Sequence, residues 1–283
     1  MLTLIALPRS NRLLIRTPTI FNSCQQLESF SLIYSAIHFS LLTPSYFFPI
    51  LSPPTSLLVA AFSYWAAMKY KGVIFDLDGT LLDTLEDLSD SVNRVLAARG
   101  FPTHTVHKYR YFIGDGTAML ITRALPEEER SEETIRFCLD AYYEDYGQNW
   151  NVKTRPYDGI PEMLDALTER GLKVAVLSNK QHELTKRCVA HFLPNWTFKV
   201  VLGQRDEATR KPDPAGALEV AERLNIPPGG FLYVGDSAID MKTAIAAGMF
   251  AVGVRWGFRP VEELQEGGAQ ALIERPLDIL NLL

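Results

Sequence analysis

Cysteine is scarce in this 283-residue chain, which holds only three. They are Cys24, Cys138 and Cys188, so their number is odd and their spacing is far wider than the paired ligands of a structural zinc site. A disulfide framework of the kind that staples small secreted domains is therefore not expected. We interpret the thiols as buried or incidental, and we expect a reducing, cytoplasmic location.

An excess of positive charge is also absent. Lysine and arginine number 28 against 33 acidic residues, which gives a formal net charge of −5. A general nucleic-acid-binding protein needs a basic face for the phosphate backbone, so this balance argues against that class. Small anionic substrates remain compatible, because a metal ion and a few local donors can outweigh the overall charge at one site.

Residues 1–67 lack the charge pattern of the rest of the chain. No aspartate, glutamate, lysine or arginine occurs from Ser29 to Met68. The last apolar run there, Ser56 to Met68, is about 13 residues long, whereas a membrane-spanning helix needs roughly 20. Three interpretations stay open: an organellar targeting peptide, a membrane anchor, or a non-conforming extension that is disordered or precedes the functional start. We favour the third, because Met68 is followed directly by a predicted core strand.

From Lys71 onward, short β-rich apolar runs alternate with amphipathic stretches. The predicted strands are residues 73–75, 173–177, 199–202, 231–234 and 250–254. The predicted helices between them are residues 160–170, 182–192, 214–224 and 238–247. This alternation predicts βαβ units and hence an α/β fold, a Rossmann-like parallel sheet with helices on both faces.

The interval from residue 84 to residue 154 breaks this alternation. It shows no strand pattern, and apolar residues recur at helical spacing from Leu85 to Leu96. We therefore predict a small α-helical cap domain over residues 84–154. The α/β core is then built from residues 68–83 and 155–283.

Aromatic and cationic side chains of the predicted cap have competing interpretations. Tyr142, Tyr143 and Tyr146 recur on one predicted helix, and we interpret them as packing rather than as a cofactor site. Arg110 and Arg123 are either solvated surface charges, which is the simpler interpretation, or guanidinium groups that bind a substrate carboxylate.

Polar residues follow four of the predicted strands. They are Asp76-Leu77-Asp78-Gly79-Thr80, Ser178-Asn179, Arg210-Lys211-Pro212-Asp213 and Gly235-Asp236-Ser237-Ala238-Ile239-Asp240. Taken singly, each has a structural explanation as an Asx turn, a helix cap or a rigid turn before a helix. Because the carboxyl ends of parallel strands meet at one edge of a sheet, the four together favour a single site there.

These segments resemble the motifs of the haloacid dehalogenase superfamily of phosphohydrolases. The four matches, in motif order, are Phe75 to Thr84, Ser178, Lys211 and Gly235 to Asp240. The resemblance covers roughly residue 69 to the C terminus. A helical insert after the first motif resembles the subclass with an α-helical cap, and the stretch from Tyr111 to Gly116 resembles the bacterial phosphoglycolate phosphatases within it.

The resemblance implies catalytic and metal-binding roles. Asp76 would be the nucleophile, Asp78 the general acid–base and Lys211 a catalytic cation. Mg²⁺ would be held by Asp76, the backbone carbonyl of Asp78 and the side chain of Asp236. Asp240 would orient Lys211 or a metal-bound water.

The resemblance also implies substrate contacts. Ser178 would donate a hydrogen bond to a phosphoryl oxygen, and Asn179, Thr80 and Gly114 complete the predicted substrate-binding set. Thr80 further favours hydrolysis over phosphoryl return to a sugar, because phosphoglucomutase relatives often carry valine at that place.

The implied activity is that of a Mg²⁺-dependent phosphatase acting on a small phosphomonoester, with 2-phosphoglycolate first, through an aspartyl phosphate. Two alternatives stay open: a phosphatase for a sugar phosphate, nucleotide or pyrophosphate, and a catalytically silent module that keeps the fold for binding. The expected partner is a small phosphorylated metabolite rather than nucleic acid or a membrane. The expected assembly is a monomer or a homodimer.

Overall fold

The computed structural model describes residues 69–205 and 210–283. The interpretations of the extension before Met68 fall outside these residues and stay predictions. Eight strands occur in the described ranges: β1 (Gly72–Phe75), β2 (Leu82–Asp83), β3 (Arg155–Pro156), β4 (Lys173–Gln181), β5 (Val200–Gln204), β6 (Phe231–Gly235), β7 (Phe250–Val254) and β8 (Ala271–Ile273).

Nine α-helices occur in the same ranges: α1 (Leu85–Ala98), α2 (Val106–Tyr109), α3 (Thr117–Ala124), α4 (Glu132–Asn149), α5 (Ile160–Glu169), α6 (His182–Phe192), α7 (Ala215–Leu224), α8 (Ala238–Ala246) and α9 (Val261–Glu266). Short 3₁₀ helices cover Glu127–Glu129, Pro228–Gly230 and Pro276–Leu282. Within the described part of the chain, no helix combines the length and the apolar character that crossing a membrane requires.

Six parallel strands form the main sheet in the order β5-β4-β1-β6-β7-β8. β1 is a central strand, because its residue Val73 pairs with Val174 of β4 on one side and with Leu232 of β6 on the other. The chain builds outward from β1 to one edge and later to the opposite edge. This order leaves a crevice at the carboxyl end of β1, where open α/β sheets bind their ligands.

Both faces of the sheet are buried. Val73 and Phe75 of β1 pack into one hydrophobic cluster, whereas Ile74 between them packs into another. Successive side chains of a strand point to opposite faces, so both faces are covered. The second cluster includes Val220 from α7 and Met241 from α8. The predicted Rossmann-like α/β fold is confirmed.

Three strands of the structure, β2, β3 and β8, have no predicted counterpart, and β4 is longer than predicted. β4 runs to Gln181 instead of ending at Leu177, because the chain stays extended although its pairing with β5 is irregular between these residues. β8 has no predicted counterpart, since a strand of three residues is too short to show an alternating pattern.

Every regular element in the described chain between β2 and β3 is helical. β2 and β3 are antiparallel, with Leu82 opposite Pro156, so the chain leaves and re-enters the core through one two-stranded ribbon. Asp87 links the start of the helical segment to its end, because its Oδ2 accepts hydrogen bonds at 2.8 Å from both N and Oγ1 of Thr154. The treatment of residues 84–154 as a separate cap domain stays a prediction.

Candidate active site

Asp76 directly follows β1, at the middle of the carboxyl edge of the sheet. Its backbone N–H donates to the Val234 carbonyl of β6 at 2.9 Å, which keeps it in line with the strand. The chain then turns away at Gly79, whose φ of +83° is rarely adopted by residues with a side chain. A Cβ on Gly79 would collide with the Asp236 carboxylate. A glycine is therefore needed here both for the turn and for the close approach.

Lys211 is buried beside Asp76. Its Nζ lies 2.8 Å from Asp76 Oδ1 and 2.7 Å from Asp240 Oδ1, and it donates to the Leu177 carbonyl at 3.2 Å. Burial alone would lower the pKa of Lys211, but the carboxylates of Asp240 and Asp76 raise it well above its usual range. The lysine is therefore a fixed positive charge at the end of the central strand.

Asp240 is fully buried, and both of its oxygens are engaged. Oδ1 accepts from Lys211 Nζ, while Oδ2 accepts from the Oγ of Ser237 at 2.6 Å and from its backbone N at 3.2 Å. Ser237 and Asp240 form the capping box of α8. A local helix-capping pattern thus aims a carboxylate at Lys211, which is the geometry that the predicted orienting role requires.

Three buried carboxylates meet at this edge. One oxygen from each of Asp76, Asp236 and Asp240 lies within 4.8 Å of the others. Burial raises the pKa of Asp76 to about 7, with Lys211 opposing the rise and Asp240 adding to it. Burial, followed by the charges of Asp240 and Asp76, also raises the pKa of Asp236 well above its usual range. Keeping all three carboxylates ionised therefore costs free energy, and binding of a further cation would lower that cost.

The donor set fits a hard divalent cation such as Mg²⁺, which prefers oxygen ligands. Asp76 Oδ1 is buried and contacts the Nζ of Lys211 at 2.8 Å. Asp236 accepts one hydrogen bond, from the backbone N of Phe258 to Oδ2 at 2.7 Å, whereas Asp240 is engaged through both oxygens. Asp76 and Asp236 are thus the side chains best placed to bind a metal. The contribution of the Asp78 carbonyl stays a prediction.

Asp78 turns its side chain towards a cation that the sequence analysis missed. Lys180 Nζ lies 3.1 and 3.2 Å from the two carboxylate oxygens of Asp78. The same ammonium donates to Tyr146 Oη of α4 at 3.0 Å. Tyr146, which the sequence pattern predicts to be a packing residue, also contacts the site through this lysine. The position of Lys180 two residues after Ser178 is the one sequence signal that points to it.

A cavity opens at this edge of the sheet. Its polar lining includes Asp76, Asp78, Ser178, Lys211 and Asp236. Its apolar lining includes Leu88, Ile113, Leu120, Tyr142, Tyr143 and Leu184. The predicted catalytic and metal-binding residues therefore share one cavity with side chains of the helical segment.

The four predicted substrate-binding residues are placed differently. Ser178 and Gly114 line the cavity, and so does Asn179. The Asn179 amide is occupied by protein contacts, because its Nδ2 donates to the Gly114 carbonyl at 2.9 Å and its Oδ1 accepts from Lys211 N at 2.8 Å. Thr80 is fully buried and lies outside the lining of this cavity.

Arg259 is a second cation that the sequence analysis missed. It lines the cavity, and its Nη2 donates to the Ile113 carbonyl at 2.8 Å. Its ion pair with Glu263 is long, at 3.8 Å. Neither predicted carboxylate-binding arginine lines the cavity, and Arg123 is paired with Asp115 at 2.5 Å. No pattern around Arg259 distinguishes it in sequence from a surface arginine.

Comparison with known proteins gives consistent results. The model of the haloacid dehalogenase-like hydrolase family matches residues 73–254. A phosphoglycolate phosphatase from Xylella fastidiosa is 35% identical over 207 residues, which cover 72% of this chain and 89% of the relative. An N-acetylmuramic acid 6-phosphate phosphatase from Pseudomonas aeruginosa is 31% identical over 218 residues, covering 76% and 96%.

A solved structure shows the same fold. The crystal structure of a predicted phosphoglycolate phosphatase from Haemophilus somnus aligns with a TM-score of 0.71 at 27% identity, and the alignment covers 76% of this chain and 99% of the other. The matched residues include Asp76, Lys211 and Asp236. This chain is a hydrolase that belongs to the haloacid dehalogenase-like hydrolase family.

Proposed function

We propose that this hydrolase is a Mg²⁺-dependent phosphatase for a small phosphomonoester, with 2-phosphoglycolate, split into glycolate and phosphate, as the leading substrate. The observation that carries the proposal is the buried contact between Asp76 Oδ1 and Lys211 Nζ at the end of the central strand. It puts a carboxylate nucleophile beside a fixed cation, where a phosphoryl group would concentrate negative charge. The names of the relatives support phosphate-ester hydrolysis.

The side chains of Asp76 and Asp236, with the backbone carbonyl of Asp78, would hold Mg²⁺. When bound, the cation offsets the negative charge of the phosphoryl oxygens and of the carboxylate cluster. The carboxylate oxygens of Asp76 and Asp236, which lie within 4.8 Å of each other, support this assignment. Asp240 lies outside this set, because its oxygens already serve Lys211 and the cap of α8.

In the first step, a carboxylate oxygen of Asp76 attacks phosphorus and the ester P–O bond breaks. Asp78 donates its proton to the departing alkoxide, which leaves as an alcohol. Lys211 stabilises the charge on the phosphoryl oxygens and on Asp76, and Ser178 donates a hydrogen bond to one of those oxygens. The product of this step is an aspartyl phosphate on Asp76.

In the second step, Asp78 takes a proton from a water molecule, which attacks the same phosphorus. The bond between phosphorus and the Asp76 oxygen breaks, inorganic phosphate leaves and both aspartates return to their starting states. The net reaction consumes one ester and one water, and it yields one alcohol and one phosphate. The apolar walls of the cavity, such as Leu88 and Leu120, limit the access of bulk water.

Arg259 supports a phosphorylated acid as the substrate. Lys180 and Lys211 also line the cavity, but both are held by aspartates. Arg259 is bound to a neutral carbonyl and lies 3.8 Å from Glu263, so its guanidinium has charge available for a ligand carboxylate. The phosphoglycolate phosphatase and the N-acetylmuramic acid 6-phosphate phosphatase to which this chain is similar are both named for phosphorylated acids.

A phosphate-release assay on the full chain tests this function. The panel contains 2-phosphoglycolate, N-acetylmuramic acid 6-phosphate, a sugar phosphate, a nucleotide and pyrophosphate, each with Mg²⁺ or with EDTA. Mg²⁺-dependent release, lost in Asp76→Asn, is the expected result. Strong preference for another compound would replace 2-phosphoglycolate as substrate, and no turnover of any ester would favour the silent binding module.

The partner of the site is, in this proposal, a small phosphorylated metabolite. The cytoplasmic location, which rests on the scarcity of cysteine, and the monomeric or homodimeric assembly stay predictions. Size-exclusion chromatography with light scattering measures the assembly directly.

A further inference from the structure

Lys180 joins the core to the helical segment through one buried ammonium. It lies on β4, and its side chain is 5% exposed. Its Nζ contacts both oxygens of Asp78 and the hydroxyl of Tyr146, which lies on α4. The ammonium also lies 4.8 Å from the centre of the Tyr146 ring, so the tyrosine contributes both an acceptor and an aromatic face.

These contacts use all the donors of the lysine. An ammonium group has three N–H bonds, and here it has three acceptors: Oδ1 and Oδ2 of Asp78 and Oη of Tyr146. No N–H of Lys180 is left for a phosphoryl oxygen in this arrangement. The lysine is thus suited to act through Asp78 rather than on a substrate.

A two-point contact restricts how the Asp78 side chain can rotate. The two distances, 3.1 and 3.2 Å, are nearly equal, so the ammonium sits between the oxygens and fixes the direction in which the carboxylate points. Asp78 lies in the segment that turns away from β1 and has only 12% of its side chain exposed. A proton-transfer group must stay within hydrogen-bond reach of its target, so a fixed direction of the carboxylate has a direct catalytic value.

We propose that Lys180 is a positioning residue for Asp78 and that the Tyr146 hydroxyl holds Lys180 in place. This inference rests on the proposed function, in which Asp78 delivers a proton to the leaving group. Because Tyr146 belongs to α4, the orientation of Asp78 depends on this helix. Asp78 is aligned only when the helical segment packs against the core as it does here. The Asp78–Lys180–Tyr146 chain is then a link between cavity closure and proton transfer.

The test compares two kinds of ester. An alkyl phosphate releases a poor leaving group that needs a proton, whereas p-nitrophenyl phosphate releases nitrophenolate, which needs none. The ratio kcat/KM reports the steps up to loss of the leaving group. The alkyl ester is 2-phosphoglycolate or, if the wild type rejects it, the alkyl phosphate that the full chain hydrolyses fastest in the metabolite panel.

Lys180→Met keeps the length of the side chain and removes the charge. We expect kcat/KM to fall ~100-fold on the alkyl ester, within the range that a general acid contributes, and less than ~5-fold on p-nitrophenyl phosphate. Asp78→Asn is the reference variant. Its loss of kcat/KM should also be greater on the alkyl ester than on p-nitrophenyl phosphate, and at least as large as that of Lys180→Met. An equal loss on both esters would mean that Lys180 is merely structural and would overturn the inference.

Tyr146→Phe is the second variant, because it keeps the buried ring and removes only the acceptor. We expect a loss of ~5-fold on the alkyl ester and no loss on the aryl ester, as for one hydrogen bond. Lys186→Met, at an exposed position, is the matched control and should leave both ratios unchanged. Thermal unfolding of each variant identifies any failure to fold.

The outcomes separate the two proposals. A wild-type protein inert towards every ester overturns the proposed function and this inference with it. Wild-type turnover of both esters, with Lys180→Met and Tyr146→Phe lacking the selective loss on the alkyl ester, overturns this inference alone.

Discussion

Asn179 and Lys211 exchange two hydrogen bonds that clamp the backbone of the lysine. Asn179 Oδ1 accepts from Lys211 N at 2.8 Å, and Asn179 Nδ2 donates to Lys211 O at 3.1 Å. The side chain of the lysine then reaches Asp76 and Asp240. Asn179, predicted from sequence as a substrate contact, also supports Lys211, the proposed catalytic cation.

Asn179→Ala should therefore destabilise the fold and slow catalysis. It leaves the N–H and C=O of Lys211 without partners in a buried place, which costs ~2–4 kcal/mol of unfolding free energy for the two groups. We expect kcat to fall more than KM rises, because the cation is displaced rather than a substrate contact removed. Urea unfolding and steady-state kinetics measure both effects. Asn195→Ala, at an exposed position, should change the unfolding free energy by less than about 0.5 kcal/mol.

Gly79→Ala should abolish activity. The substitution combines an unfavourable φ of +83° with a collision against the Asp236 carboxylate, so the turn that carries Asp78 has to move. Gly100→Ala separates these effects, because Gly100 has a φ of +73° but no atom within 4 Å of a Cβ. It should cost ~1 kcal/mol through backbone strain alone and leave kcat intact. Similar kinetics for the two variants would contradict the close packing of the turn against Asp236.

The raised pKa of Asp76 predicts a pH dependence of the metal-free protein. A carboxyl group with a pKa of about 7 in the fold and 3.8 when unfolded binds a proton more tightly in the folded state. Its contribution to stability is complete below pH 3.8 and is lost as the pH rises through 7. In EDTA, lowering the pH from 8 to 6 should therefore raise the unfolding temperature, and less so in Asp76→Asn.

The affinity for Mg²⁺ should have the opposite pH dependence and rise with pH. Because the ion competes with protons for the carboxylate cluster, it should bind more tightly at pH 8 than at pH 6, and it should release protons when it binds at pH 6. Calorimetric titrations in two buffers of different ionisation enthalpy measure both quantities. Affinity independent of pH over this range would argue against Asp76 as a ligand.

Arg259→Gln should weaken the binding of a phosphorylated acid. Loss of a charged hydrogen bond costs ~1.5–3 kcal/mol, so KM for 2-phosphoglycolate should rise ~10- to 100-fold, while p-nitrophenyl phosphate, which has no carboxylate, is affected less than ~3-fold. Arg123→Gln is the matched control, because Arg123 pairs with Asp115 and lies outside the cavity lining. Equal effects of the two substitutions on 2-phosphoglycolate would remove Arg259 from substrate recognition.

The convergence of Asp76, Lys211 and Asp236 could be predicted from sequence because it needs only two local facts. Each residue follows a run that forms a buried strand, and parallel strands present their carboxyl ends at the same edge. The capping box of Ser237 and Asp240 is equally local. These features depend on short-range patterns, so they can be predicted without knowledge of the tertiary structure.

The contacts of Lys180, Tyr146 and Arg259 could not be predicted in this way. The Asp78–Lys180 contact spans 102 residues, and the Arg259–Ile113 hydrogen bond spans 146. The Arg259–Ile113 contact and the Lys180–Tyr146 contact also depend on how the helical segment lies against the sheet, which no periodicity specifies. The direction of the Asn179 amide is a similar case, since sequence identifies an amide but not its partners.

The central claim is that Asp76 becomes phosphorylated, and trapping that species tests it most directly. Asp78→Asn should slow hydrolysis of the aspartyl phosphate, because water loses its base, while p-nitrophenyl phosphate still transfers its phosphoryl group. Mixing this variant with the ester and Mg²⁺ should give a burst of about one nitrophenolate per active site. Acid quenching and peptide mass spectrometry should then place a phosphoryl group on Asp76. A burst without phosphorylated Asp76, or the same burst in Asp76→Asn, would contradict the account.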